Sequence, residues 1–246
     1  MKLSSIFNGT YLFLVVLVFG VNSNVSAMAT MEKPITIAGE VVFSVGDAYI
    51  VSVSGPEKAT KGAMVMVGDS LVTGVQGYIH LRMADDAFLG IRSNSLLVID
   101  EYMFDVTRPE NGQVRIFLQE GTVRALSGRI AQSNKDNFRL NTPLAAIGVR
   151  GTDFVTVADQ LNTQVAVASG GIAMAPYSNE CVLLDLGPCL GDYVTDLYAK
   201  QKDTYLVIRL GQPTVEVIQG DLESQFEPAH PQENYDASHN VNNAAN

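Results

Sequence analysis

The stretch GYIHLRMADDAFLGI, residues 77–91, decides the fold class of this chain. Polar and apolar side chains alternate from residue 78 to residue 83, a period of two that is typical of a strand with one buried face. The alternation stops at Asp85 and Asp86, where aspartate favours a turn, and a second apolar segment follows. The stretch therefore predicts two strands joined by an acidic turn.

The same pattern recurs along the chain. Apolar segments on either side of a break occur at residues 40–53, 113–126, 163–175 and 205–218, with the breaks at Gly46-Asp47, Glu120-Gly121, Gly170-Gly171 and Gly211. Closely spaced turn signals of this kind favour an all-β fold, built as a β-solenoid-like, sandwich or barrel-like domain. The best helical candidate, residues 191–203, is weakened by the β-branched Val194 and Thr195.

Composition restricts the class of partner. The chain has 246 residues, 47% of them hydrophobic, and a formal net charge of -10. No basic patch stands out, which argues against nucleic acid, because a phosphate backbone requires clustered lysine and arginine.

The first 29 residues have the pattern of a secretory signal peptide. An early Lys2 is followed by an apolar run at residues 11–21 and by small residues at Ala27 and Ala29, where we expect cleavage. An uncleaved anchor is the alternative, although a bilayer span needs about 20 apolar residues. We therefore expect a periplasmic or secreted protein with no stable membrane span after cleavage.

The rest of the chain divides into three predicted parts. Residues 35–158 are predicted to form a β-domain and residues 159–220 a β-rich extension. The polar residues 221–246, with His230 and His239, are predicted to be a disordered tail.

The two cysteines, Cys181 and Cys189, fall in the extension. Export places them in an oxidising compartment, and Gly187-Pro188 supplies a turn between them, so we predict a disulfide. Two free thiols or half of a metal site are the alternatives, but no histidine lies nearby to complete such a site.

The segment IGVRGT, residues 147–152, has the glycines, arginine and hydroxyl of an anion site. No lysine follows Gly151 and the next residues are strand-like, so a phosphate loop is not predicted. We interpret Gly148, Arg150, Gly151 and Thr152 as structural. Both glycines are expected to adopt backbone angles closed to other residues. Arg150 is expected to bind neighbouring carbonyls or a carboxylate such as Asp153, and Thr152 to bond the local backbone.

No catalytic constellation is predicted. His80 falls on the outward face of its strand, which indicates a surface histidine. Asp85-Asp86 and Asp100-Glu101 offer paired carboxylates of the kind that bind calcium or flank a glycosidic bond. For Asp85-Asp86 the turn explains the pair better. We therefore predict a non-enzyme with no cofactor and no metal.

Four segments, taken in order, resemble the periplasmic domain of the FecR-type family of iron-dicitrate sensors. They are IAGEVVFSVGDAYI (37–50), GDSLVTGVQGYIHLRMADDAFLGIRSNSLLVID (68–100), IFLQEGTVRA (116–125) and FRLNTPLAAIGVRGTDFVTV (138–157). The resemblance implies an all-β fold without catalytic residues. The best-known members are inner-membrane regulators that receive a signal from an outer-membrane receptor and control a sigma factor through a cytoplasmic segment.

An export signal that starts at Met1 would leave this chain a secreted member without that cytoplasmic segment. We therefore expect a domain for protein recognition or envelope signalling, whose partner is an unknown envelope protein or cell-surface component. The alternative is a structural or adhesive component of the envelope or matrix.

Overall fold

A computed structural model describes residues 36–220 and Leu222. The predicted signal peptide, His230, His239 and the predicted tail apart from Leu222 lie outside the described residues. Within these, the strands are β1 (Ile37–Val45), β2 (Ala48–Ser52), β3 (Gly55–Lys58), β4 (Met64–Met66), β5 (Ser70–Thr73), β6 (Tyr78–Met83), β7 (Phe88–Ile91), β8 (Ser95–Met103), β9 (Gln113–Leu126), β10 (Phe138–Asn141), β11 (Ala145–Val149), β12 (Asp153–Ala158), β13 (Asn162–Ser169), β14 (Gly171–Pro176), β15 (Thr195–Tyr198), β16 (Thr204–Arg209) and β17 (Glu216–Gln219).

Helical structure is sparse. One short helix, α1 (Arg129–Ser133), and the 3₁₀ turns Pro109–Asn111 and Lys135–Asn137 lie between β8 and β10. The helical candidate at residues 191–203 contains strand β15 instead, in keeping with its β-branched residues. No helix within residues 36–220 is long and apolar enough to cross a bilayer.

The strands form two sheets that share β9. The first sheet has the order β4-β1-β6-β7-β9-β12-β13-β16-β17. The second has the order β3-β2-β5-β8-β9-β10-β11-β14-β15. The β9–β10 pair is parallel, whereas its neighbours in both sheets are antiparallel.

Strand β9 passes from one sheet to the other. Its first part pairs with β8 as far as Glu120, and its last part, from Gly121 to Leu126, pairs with β12. The predicted break at Glu120-Gly121 is therefore wrong as a turn between two strands. Gly121, with φ 98°, lies where one continuous strand changes sheet.

The predicted all-β class is confirmed, and the arrangement is sandwich-like. From β5 onward the strand order along each sheet follows the order in the chain, as in a solenoid. Among the described strands, β4 and β17 pair on one side only, so the first sheet is open at both edges and is not a closed barrel.

One buried apolar cluster lies between the sheets. Leu81 and Val123 contribute from the first sheet and Leu97 and Ile147 from the second. Leu206, which follows residue 158 in the chain, belongs to the same cluster. The described residues before and after position 158 therefore share one core.

Candidate functional site

The outward face of the second sheet is covered where it contains β10, β11 and β14. In β11 and β14 this face carries small residues, with Ala146 opposite Ala175 and Gly148 opposite Ala173. All four residues are buried, although the core lies on the other side of the sheet. Small side chains let another segment of backbone approach the sheet closely.

That segment is the disulfide loop, residues 177–194, which connects β14 to β15. Cys181 and Cys189 are bonded, with their Cα atoms 5.4 Å apart, so the predicted bridge is confirmed. Both cysteines are buried and pack with Ala146 and Ala175. The bridge therefore faces the sheet and not the solvent.

Gly148 is required by close approach and not by its backbone angle. A Cβ atom at this position would lie 2.6 Å from both Cα and Cβ of Pro188 in the disulfide loop. The expectation of an unusual backbone conformation is wrong for Gly148, which is not among the positive-φ residues, whereas Gly151 has φ 62°. Gly148 therefore leaves space for the disulfide loop, whereas Gly151 permits a left-handed backbone conformation.

Arg150 lies beside a carboxylate, but the carboxylate is that of Asp196 and not that of Asp153, the example given from the sequence. Its Nη2 atom lies 3.7 Å from Asp196 Oδ2, and its guanidinium lies 6.0 Å from the ring centroid of Tyr198. Asp153 is held instead by Arg124, through bonds of 2.9 Å from Nε and 2.8 Å from Nη2. The cross-strand register explains this outcome, because Asp153 lies on β12 beside β9, which carries Arg124.

Thr152 connects three segments of backbone. Its hydroxyl accepts a bond of 3.1 Å from the Arg150 amide and donates one of 2.5 Å to the Gly171 carbonyl. Its own amide donates to Ser127 Oγ at 3.0 Å. The turn between β11 and β12 is thereby fixed to the start of β14.

Arg139 lies under the disulfide and is 1% exposed. Its Nη1 atom donates to Cys189 Sγ at 3.0 Å and lies 3.8 Å from Cys181 Sγ, while its Nε atom has no acceptor. Within residues 36–220 no carboxylate forms an ion pair with it. Burial accordingly lowers the pKa of the Arg139 guanidinium.

Side-chain donors from the sheet hold the backbone of the disulfide loop near Leu183 and Leu184. Arg115 Nη1 donates to the Leu184 carbonyl at 2.7 Å, and Asn141 Nδ2 donates to the Leu183 carbonyl at 2.8 Å. Arg115 also pairs with Glu101 at 2.9 Å. These contacts fix the backbone of the loop against the sheet.

The remaining candidates from the sequence are bonded within the fold. His80 is half-buried and not fully on the surface, with Nε2 2.6 Å from the Tyr78 hydroxyl and its ring 4.7 Å from that of Phe88. Asp85 and Asp86 lie in the predicted turn between β6 and β7.

Asp85 is 2% exposed and accepts bonds from Tyr102 Oη at 3.1 Å and the Ile130 amide at 3.2 Å. Burial raises the pKa of the Asp85 carboxyl despite these bonds. In the part of the chain that the structure describes, no three or more His, Cys, Asp or Glu side chains gather as metal ligands would.

Comparison with known proteins identifies the family of the central part. Residues 69–173 match the family model described as FecR protein. These residues form a FecR domain. The matched segment begins and ends later than the β-domain predicted from the sequence, residues 35–158. It stops just before the disulfide loop.

Other comparisons are more distant. No curated protein matches the sequence. Two crystal structures of a provisionally assigned anti-sigma factor from Parabacteroides distasonis ATCC 8503 are similar to this chain. Their sequences are 13% and 12% identical to that of this chain, and the TM-scores are 0.43 and 0.44. Each alignment covers 63% of this chain and 61% of the other, so the chain spans less than two thirds of the length of these proteins.

The sequence reasoning missed Arg139 and Asn141, the polar residues of β10 that contact the disulfide loop. A signal was present, because β11 and β14, AAIGV and GIAMAP, contain no alternating polar residues. Strands that are apolar on both faces indicate that both faces are covered.

Proposed function

We propose that this chain is a non-enzymatic FecR-domain protein of the periplasm or cell exterior, which acts in envelope signalling by recognising another protein. One observation carries the proposal: a FecR domain is followed directly by a loop closed by the buried Cys181–Cys189 bridge. The FecR match supports a signalling role, and the bridge supports the location, because disulfides persist in oxidising compartments.

The use of the titratable side chains supports recognition in place of catalysis. His80, Asp85 and Arg139 each bond to neighbouring groups of the fold. A general acid or base must instead reach a substrate atom. These three side chains accordingly stabilise the scaffold, and binding is left to surface loops.

Fractionation with thiol trapping tests the location. Cells expressing the chain are treated with an alkylating reagent before lysis, and the labelled thiols are counted by mass spectrometry in each fraction. We expect the chain in the periplasm or medium with neither cysteine labelled. A cytoplasmic chain with both cysteines labelled would show that the proposed location is wrong.

A deletion strain tests the signalling role. We expect the loss of the gene to alter the transcription of a defined set of genes, and the full chain supplied in trans to restore it. An unchanged transcript profile in every growth condition that induces the gene would contradict the proposal.

A structural or adhesive component of the envelope is the second candidate, and the open edges of the first sheet favour it. Strand β17 pairs only with β16 among the described strands, so its other side offers backbone groups to a further strand. Assembly of the purified chain into filaments in sedimentation and electron microscopy would favour this candidate, whereas a monomer favours recognition.

A further inference from the structure

The disulfide loop exposes a group of large apolar side chains, which we call the apolar tip: Val182, Leu183, Leu184 and Leu190. Leu184 is 74% exposed and Leu190 is 78% exposed. The bridge keeps the two parts of the tip together, since the Cα atoms of Val182 and Leu190 can be no more than about 13 Å apart when the bridged Cα atoms are 5.4 Å apart. Single exposed apolar residues are common on soluble proteins, but a group of them marks an interaction site.

The backbone of the apolar tip is fixed while its side chains face outward. The carbonyls of Leu183 and Leu184 accept bonds from Asn141 and Arg115 of the sheet. Pro188 packs against Gly148, and the bridge closes the loop. A rigid loop loses little conformational entropy when a partner binds, so this loop is preorganised for binding.

The disulfide loop that carries the apolar tip is acidic. Glu180, Asp185 and Asp192 are exposed, and none of them forms an ion pair within residues 36–220. Residues 177–199 contain neither lysine nor arginine. The arginines of the sheet that contact the loop, Arg115 and Arg139, are largely buried. The exposed charges of the loop itself are therefore negative, and we call these three carboxylates the negative rim of the tip.

We propose that the apolar tip is the part of this chain that a partner protein binds, by accepting the leucines into an apolar groove whose rim carries lysine or arginine. The inference rests on the proposed recognition function. Charge complementarity selects this partner, because a negative rim is steered toward a positive one. An anionic lipid surface would repel the rim, and a second copy in a two-fold contact would bring the same negative rims together.

Photo-crosslinking in intact cells tests the proposal on the full chain. A benzophenone amino acid replaces Leu184 or Leu190 in the tip, and Leu161 or Leu210 as matched controls. The two controls are also large exposed leucines, 64% and 63% exposed, but lie at the turns of the first sheet. We expect both tip positions, and neither control, to yield an adduct with a second and different polypeptide.

Charge reversal then tests the nature of the rim. Glu180→Lys/Asp192→Lys should lower the adduct yield at the tip about tenfold or more, the scale on which electrostatic steering acts. Glu57→Lys/Glu120→Lys makes the same change of charge at exposed positions elsewhere and should leave the yield unchanged. Thermal midpoints and thiol counts equal to those of the parent chain establish that each variant is folded and bridged.

The outcomes separate this inference from the proposed function. Protein adducts at Leu161 or Leu210 with none at the tip would overturn the inference and leave the recognition function standing. Tip adducts with lipid or with a second copy, or a yield that charge reversal at Glu180 and Asp192 does not change, would also overturn it. The absence of protein adducts at all four positions would count against both.

Discussion

Replacing Gly148 by alanine should push the disulfide loop away from the second sheet. The added Cβ would lie 2.6 Å from Cα and Cβ of Pro188 and 2.8 Å from its nitrogen, whereas an ordinary contact begins at 3.4 Å. Pro188 must therefore retreat by about 1 Å. Overpacking of this kind costs about 1–3 kcal/mol.

The displacement should also reach the disulfide. Pro188 precedes Cys189, whose sulfur is 3.0 Å from Arg139 and which is 7% exposed. Gly148→Ala should therefore lower the thermal midpoint by about 2–12 °C, at about 2–4 °C for each kcal/mol in a domain of this size. It should also speed reduction of the bridge by dithiothreitol, because the sulfurs become more accessible.

Gly151→Ala is the matched control for Gly148→Ala. A Cβ at Gly151 meets no atom within 4 Å, but the residue has φ 62°. Gly151→Ala should lower the free energy of unfolding by about 1–2 kcal/mol, because alanine is strained at positive φ. The rate at which dithiothreitol reduces the disulfide should stay that of the parent chain. Differential scanning calorimetry and timed thiol labelling measure both quantities. A Gly148→Ala variant with the parent midpoint and the parent reduction rate would refute the account of Gly148 as a close-approach residue.

Three further predictions concern the disulfide, Gly151 and Asp85. Cys181→Ala/Cys189→Ala removes a bridge across a sequence separation of 8 residues and should lower the free energy of unfolding by about 2.5 kcal/mol, measured by urea denaturation. Equal unfolding free energies with and without the bridge would contradict this. Gly151→Val should lower the free energy of unfolding by about 1–3 kcal/mol, because valine is strained at positive φ. Gly151→Asn should lower it less, because asparagine adopts positive φ more readily, and equal melting temperatures for the two variants would contradict this reasoning. Burial raises the pKa of Asp85 in the folded state, so its contribution to stability is complete below the usual aspartate range and is lost as pH rises through the raised pKa. Asp85→Asn should therefore flatten the dependence of the urea midpoint on pH in that window, and an unchanged slope would show that another group titrates there.

The sequence located the strands and turns that depend on neighbouring residues. The alternation in residues 77–91 corresponds to β6 and β7, with Asp85 and Asp86 in the turn between them. Alternation and turn preference are properties of a few consecutive residues, and they need no knowledge of the fold. The bridge between Cys181 and Cys189 followed in the same way, from an export signal and two cysteines with a turn between them.

Only part of the candidate site could be read from the sequence. Gly151 has the positive φ that the glycine suggested, but Gly148 is constrained by Pro188, 40 positions later in the chain. The apolar strands β11 and β14 indicated that both faces of the sheet are covered, but not which segment covers them. Arg139 and Asn141 themselves gave no sign of their contacts with the disulfide loop, because those contacts cross 42 residues or more. Contacts of this range depend on which surfaces the fold brings together.

The sequence by itself determined the all-β class, the bridge and the positions where the chain turns or changes sheet, although at Gly121 the strand itself continues. The tertiary structure alone decided what happens at the predicted breaks. At Gly46, Gly121 and Gly170 the chain passes from one sheet to the other, whereas the sequence predicted only a break between two apolar segments and left open whether those segments pair. A glycine with positive φ permits either a hairpin or a change of sheet. The choice depends on which distant apolar faces fill the space between the sheets, and that is a property of the whole core and not of any one segment.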